Sequence, residues 1–309
     1  MFEHVFQFLP ATSKFNEQMW DTSGGNIVVI DLEDSLQNVI KPELNSLIKK
    51  EGREKLVSYF YQSQLTNKIP GIRVNRFGSE EFEKDTQMLV SLKNTRPGYI
   101  FIPKVESKEE LENYVRHFSE LNINYNFLVP IIETKQGLLQ LKNILKVSCK
   151  NKLHYFAWGH HDYNLDVGNW PFVEQDNIEY WNIVREFILE VEGAGYHYLC
   201  NPLNQIFNDA FFSSIATYEK SLCSRSAGHV VLNYQQAKLL QSVNLLSPRQ
   251  DFLSTASLNS DQKKQLAEKT VSCFNHEVKT GFTIDDKTKM FISPQQYLAA
   301  RNFLSAIKK

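Results

Sequence analysis

Eight short runs of apolar, β-branched and aromatic residues punctuate this chain, at 5–9, 26–32, 71–75, 98–105, 127–133, 153–159, 196–201 and 229–233. They are apolar nearly throughout instead of alternating with polar residues, which suits parallel strands covered on both faces. Between them lie stretches of helical periodicity with recognisable ends. Ser107 with Glu110 three residues on forms a capping box that opens a helix over 108–118. Leu138, Leu141, Ile144 and Leu145 share one helical face, as do Ile178, Trp181, Val184, Phe187, Ile188 and Val191. Gly193 and Gly195 then stop that helix. This Gly-Ala-Gly precedes a strand instead of opening a helix, so a phosphate-binding turn is set aside. Strands and helices alternating eight times match a (β/α)8 TIM barrel over 1–245, in count and in length. A doubly wound open sheet is the α/β alternative. The remainder, 246–309, changes texture: a Ser, Asn and Gln-rich linker at 247–260, a polar helix from about 261 to 276, and an amphipathic helix over 294–307. It is too small for its own core and is expected to dock on its barrel or a neighbour's.

Composition narrows the class. The 309 residues carry 34 Lys plus Arg against 35 Asp plus Glu, a formal charge of −1, and 42% are hydrophobic. No net basic surface is available for a non-specific nucleic-acid binder. The four cysteines, at 149, 200, 223 and 273, have no C-x-x-C spacing, which points to free thiols and a reducing cytoplasm. The opening MFEHVFQFLP places an acid and a His where a secretory signal has Lys or Arg, and no apolar run approaches membrane-spanning length. A cytoplasmic protein with no membrane partner is expected.

In a barrel, function belongs at the C-terminal ends of the strands. Those ends supply Asp31, Glu33 and Asp34 after the second run, Arg73 in the third, Lys104 and Glu106 after the fourth, Glu133 after the fifth, and His160, His161 and Asp162 after the sixth. Each has a plainer alternative. Carboxylates after strands commonly cap helices. Alternation would point some of Asp31, Glu33 and Asp34 outward, and paired acids could simply hold Lys41 or Arg73. Glu106 lies beside a capping box, and adjacent histidines more often solvate a loop than bind metal. Convergence on one mouth lifts the set. Two carboxylates from adjacent ends with no thiol nearby, Glu133 and Asp162, suit Mg2+ or Mn2+ over Zn2+. Arg73 offers a fixed fork for a substrate carboxylate or carbonyl oxygen. An ion and a guanidinium around a small oxo acid would stabilise an enolate, the charge that develops when a C–C bond breaks beside a carbonyl.

The series VVIDLEDSL, GIRVN, IFIPKVES, VPIIETKQG and AWGHHDYNLDVG resembles, in order and spacing, the citrate lyase β-subunit-like branch of the HpcH/HpaI aldolase superfamily, which includes malyl-CoA lyases. The tail, GFTIDDKTKMFISPQQYLAARNFL, is similar to the family's last segment, so the likeness covers nearly the whole chain. The resemblance implies a Mg2+-dependent C–C lyase or aldolase on a TIM barrel, assembled as a homotrimer or hexamer, whose C-terminal segment is a lid near a neighbouring subunit's site. It makes Glu133 and Asp162 the metal ligands and Arg73 the holder of the oxo-acid end. Asp31, Glu33 and Asp34, with Lys41, shape the substrate site and the metal's surroundings. The sequence also departs from the family. A basic turn that helps hold coenzyme A is reduced to Lys14. The eighth strand reads Gly228-His229-Val230-Val231-Leu232-Asn233 without the family's Lys and His-Pro, and Ile292 stands where a lid aspartate falls, with Asp285 or Asp286 as replacements. The expected substrate is therefore a small oxo or hydroxy acid, with or without a coenzyme A thioester. Two further readings stay open: a catalytically impaired barrel that binds metal and oxo acid or serves as a complex subunit, and a coenzyme A-independent pyruvate-type aldolase with His160 or His161 as base.

Overall fold

The computed structural model describes residues 2–11, 27–63, 69–92, 97–203, 205, 207–242, 252–254, 257–277, 281–285, 288–289 and 291–308. The expected barrel is present. Eight strands, β1 (His4–Pro10), β2 (Ile27–Asp31), β3 (Ile69–Arg73), β4 (Tyr99–Ile102), β5 (Phe127–Ile132), β6 (Tyr155–Trp158), β7 (His197–Cys200) and β8 (Gly228–Val231), pair in order. Every pairing is parallel, and β1 closes the ring on β8 with His4 opposite Gly228. Closure excludes the open sheet.

Strand alternation divides the apolar residues into two cores. Phe6, Val29, Phe101, Val129, Ile131, Tyr155, Leu199 and Val230 fill the lumen. Phe6 lies edge-on to Tyr99, Phe101 and Tyr155, with centroids 5.1, 5.6 and 5.5 Å apart. A Cβ on Gly228 would stand 2.9 Å from both Phe6 and Leu199, so the glycine makes room for that aromatic filling. The other strand faces bury Val28, Ile30, Ile72, Ile100 and Leu128 under the helices. Each such side chain contributes about 1.5–3 kcal/mol.

The helices are α1 (Asn45–Ser63), α2 (Glu80–Ser91), α3 (Lys108–Glu120), α4 (Lys135–Ile144), α5 (His160–Asp166), α6 (Ile178–Gly193), α7 (Asp209–Leu222) and α8 (Tyr234–Ser242). Ser107 caps α3 through the Glu110 amide, as the spacing predicts, while the Glu110 carboxylate accepts from the amide of Glu106. α6 ends at Gly193 and Gly195 takes a left-handed φ of +95°, the expected stop. Beyond the barrel, α9 (Ser260–Glu277) and α10 (Pro294–Ala306) pack on each other, linked through a two-stranded ribbon of β9 (Thr283–Ile284) and β10 (Phe291–Ile292). Phe274, Ile292 and Tyr297 form a small core there, with Phe274 and Tyr297 stacked at 4.6 Å. α10 rests on α5 of its own barrel. No helix among the described residues is long and apolar enough to cross a membrane.

Candidate active site

The polar mouth is a continuation of the lumen's alternation. Ile27 and Val29 point inward on β2, so Asp31 does too; Val129 and Ile131 on β5 are followed in phase by Glu133. Asp31 and Arg73 are register partners on β2 and β3. Neighbouring backbones therefore deliver a two-pronged ion pair, Nε to Oδ1 at 2.7 Å and Nη2 to Oδ2 at 2.6 Å. The turn after β2 wraps the same carboxylate, which accepts from the amides of Glu33 and Ser35 at 2.9 and 3.0 Å. Because the strand ends at Asp31 and a 3-10 turn follows, alternation no longer governs the next residues. Glu33 and Asp34 both reach Arg73 Nη1, at 3.0 and 3.3 Å, so all three acids converge and the expectation that some point away is corrected. Most of the Arg73 fork is thus spent on protein carboxylates.

Lys104, found at a strand end in the sequence, was given no role there. After β4 it takes a left-handed φ of +53°, and this turn brings its amide and its side chain to the same mouth. The amide donates to Glu133 Oε1 at 2.9 Å. The ammonium lies 2.5 Å from Glu33 Oε1, 3.1 Å from Asp162 Oδ1, 3.9 Å from Asp34 Oδ1 and 4.0 Å from Glu133 Oε1. Asp162 sits in the first turn of α5, directly after β6, and its Oδ2 accepts from Gln295 of α10 at 2.9 Å. The tail therefore reaches this chain's own mouth.

Five carboxyls, three buried and Asp34 and Asp162 half-buried, thus face two cations. Burial works to raise Asp31 and Asp34, but Arg73 overrides it at Asp31, and Lys104 with Arg73 at Asp34, holding both below the usual carboxylate range. Glu33 is pushed up to about 7 by burial and by the Asp34 charge. Burial, with the charges of Asp162 and Glu33, drives Glu133 well above its ordinary value, and burial with Asp34 raises Asp162. Lys104 and Arg73 stay protonated despite burial because the acids surround them. The donor set is all oxygen and short of positive charge, which fits a hard divalent cation.

Of the remaining candidates, His160 and His161 line the same cavity as the acids, and the others fall elsewhere. His160 and His161 begin α5 instead of lying in a loop. His160 Nε2 meets Glu174 at 3.0 Å, and His161 Nδ1 meets the Ser293 hydroxyl of the tail at 2.9 Å, so both rings are turned toward Glu174 and the tail. Glu106 pairs with Arg76, and Lys41 is exposed. Asp285 is bound to Lys269 and Thr288, and Ile292 is packed in the tail core. Lys14 and Asp286 lie outside the described residues. Gln295 was missed because only the folded tail brings it there.

Asp31, Asp34, Glu133, Asp162 and Arg73 line a cavity of about 200 Å3, to which the tail contributes Phe282, Phe291 and Gln295. Fold and mouth together define a parallel (β/α)8-barrel protein with a charged pocket at the C-terminal ends of its strands. The HpcH/HpaI aldolase/citrate lyase model matches residues 5–191, more than half of the chain, and the protein belongs to that family of aldolases and lyases. The fold is shared with RipC from Yersinia pestis (19% identity, TM-score 0.58, covering 82% of this chain and 96% of that one). It is also shared with the citrate lyase β subunit of Mycobacterium tuberculosis complexed with oxaloacetate and magnesium (15%, TM-score 0.60, 78% and 96%). A CitE structure from the same organism, in complex with magnesium, acetoacetate and coenzyme A, is similar over 100% of this chain and 99% of that one (15%, TM-score 0.60). No curated protein matches the chain.

Proposed function

We propose that this protein is a divalent-cation-dependent carbon–carbon lyase that cleaves or forms a bond in a small oxo or hydroxy acid. The observation that carries the reading is the convergence of Glu33, Asp34, Glu133 and Asp162 around one point, marked by the Lys104 ammonium and flanked by Arg73. The magnesium and oxo-acid complexes of the mycobacterial proteins support the choice of ligands. Glu133 and Asp162 would hold Mg2+ or Mn2+, and the ion supplies, when bound, Lewis-acid stabilisation of the negative charge that develops at the substrate's carbonyl oxygen.

The chain's own groups do the rest. Asp31 fixes the plane of the Arg73 guanidinium by its two-pronged pair. The Nη1 edge, held less tightly at 3.0 and 3.3 Å, is the part left to a substrate carboxylate or carbonyl oxygen. Lys104, protonated among four acids, adds a fixed positive charge beside the same oxygens. Gln295 holds Asp162 while Phe282 and Phe291 of the tail cover part of the mouth.

Calorimetric titration with Mg2+, run beside an assay for pyruvate released from 4-hydroxy-2-oxo acids, tests the reading. Glu133→Gln and Asp162→Asn are expected to abolish both binding and turnover. Full activity with metal bound in either variant ends it. One observation favours the impaired-barrel reading: the tail delivers an amide, Gln295, and no tail carboxyl lines the cavity among the described residues. Mg2+ and oxo-acid binding without turnover of any candidate would select that reading.

A further inference from the structure

The cavity has two unlike halves. One is the acid ring with Arg73. The other is mostly apolar, built from Phe8, Phe101, Ile131, Val230, Phe282 and Phe291. His160, His161, Asn201 and Ser293 also line the cavity. Phe8 and Phe101 meet edge-on at 5.0 Å, and Phe8 also lies under the Arg73 guanidinium, so the apolar wall begins where the charged fork ends. β8 adds Val230, and Leu232 beyond it. The two tail phenylalanines face each other at 4.6 Å and complete the wall from above.

Charge sharpens the contrast. Arg73 is the only Lys or Arg lining the cavity among the described residues. It is already held by Asp31, Glu33 and Asp34, and Lys104 behind the ring is held by Glu33 and Asp162. His160 and His161, which also line the cavity, are already engaged by Glu174. A second carboxylate on the substrate would lie against the apolar wall with no uncommitted Lys or Arg beside it among the described residues, and burial of an unpaired charge is strongly disfavoured. Size points the same way. An apolar cavity of about 150 Å3 accepts benzene. A space of about 200 Å3 therefore suits an oxo-acid head carrying one ring or branched chain.

We propose that the substrate of this site carries an apolar group, aromatic or branched aliphatic, on the far side of the bond that is cleaved or formed, in place of a second carboxylate or a thioester. The inference rests on the oxo-acid lyase reading above. In the cleavage direction the C4 hydroxyl of a 4-hydroxy-2-oxo acid loses its proton and the C3–C4 bond breaks. C4 becomes an aldehyde carbon, and the electron pair left on C3 is delocalised as the enolate of pyruvate. That enolate takes up one proton, so no oxidant, reductant or co-reactant is needed.

The test uses the full chain with Mg2+ and three 4-hydroxy-2-oxo acids that differ only at C4, bearing hydrogen, carboxylate or phenyl. All release pyruvate, so one readout serves. Each methylene placed in an apolar pocket is worth about 10–200-fold in discrimination. The phenyl compound is expected to exceed the other two at least tenfold in kcat/KM, with Phe291→Ala narrowing the gap and Val230→Lys shifting preference toward the carboxylate compound. Equal or better turnover of the carboxylate compound overturns this inference and leaves the lyase reading standing. If nothing is turned over and Mg2+ does not bind, the lyase reading falls. Calorimetry with phenylpyruvate and oxaloacetate then decides the apolar preference: tighter phenylpyruvate supports it, and tighter oxaloacetate, or binding of neither, overturns it.

Discussion

Gly159 shows how closely single residues set this mouth. A Cβ there would stand 2.4 Å from Glu133 Oε2 and 2.5 Å from Glu133 Cβ, so an alanine displaces the carboxylate and forces a local shift of the backbone that carries it. Misplacing a reacting group by about 1 Å costs roughly 100-fold. Gly159→Ala is expected to keep the barrel's circular dichroism and to lose Mg2+ binding measured by calorimetry; unchanged affinity would show that Glu133 does not hold the ion. Lys104→Met probes the same ring from the other side. Removing one partner of a buried ion pair costs about 3–5 kcal/mol. The melting temperature without metal should therefore fall by several degrees and recover in part with Mg2+, and a variant as stable as the parent would contradict the charge balance drawn here. Asp31, Arg73 and Glu133 were legible because inward alternation runs straight from the lumen residues into them. Lys104 was visible at a strand end, but its role depends on one left-handed backbone angle that no periodicity encodes.

At the scale of elements, α7 and β8 share a buried acid and imidazole. Glu219 Oε1 accepts from the Tyr198 hydroxyl at 2.8 Å, and its other oxygen lies 3.8 Å from His229 Nε2, all fully enclosed. Burial pushes Glu219 up to about 8 and His229 down to about 4, so both are neutral at pH 7. The unfolded chain releases the glutamate proton near 4.5, whereas the native state keeps it to about 8; in that interval the native state binds more protons and stability falls as pH rises. For His229 the unfolded chain binds the extra proton between about 4 and 6.5, so stability rises with pH there. The slopes offset below 6.5. Above it Glu219 is no longer opposed by His229, and its share of the loss is roughly 2 kcal/mol by pH 8, to which Glu33 and Glu133, raised at the mouth, add their own. Glu219→Gln keeps the oxygen for Tyr198 and should make that slope shallower in urea unfolding curves; a parallel slope in the variant would place the titration elsewhere. The eight strands were readable because burial on both faces makes them apolar throughout, though their ends were trimmed where Pro103 and Lys104 leave the sheet. α5 was not readable, since it starts immediately after β6 inside an apparent strand end, and the two-residue strands β9 and β10 are too short for any pattern.

At the scale of the molecule, the tail is what sequence patterning could place least. Its helices were visible, but docking depends on contacts between distant residues: Ser293 to His161, Gln296 to Glu174 and Gln295 to Asp162. The third of these couples the tail to the proposed ion. Gln295 is buried and donates to a carboxyl that burial has already raised, so it favours the ionised form that a cation needs. Outer contacts of this kind are worth 10–100-fold in metal affinity. Gln295→Ala leaves the Phe274–Tyr297 stack and the Ser293–His161 bond to hold the tail in place. It is expected to weaken Mg2+ binding at least tenfold in calorimetry, with hydrogen exchange in α10 unchanged. Loss of protection throughout α10 would instead mean that the amide anchors the lid. Unaltered affinity with an unaltered tail would mean that the contact serves neither purpose.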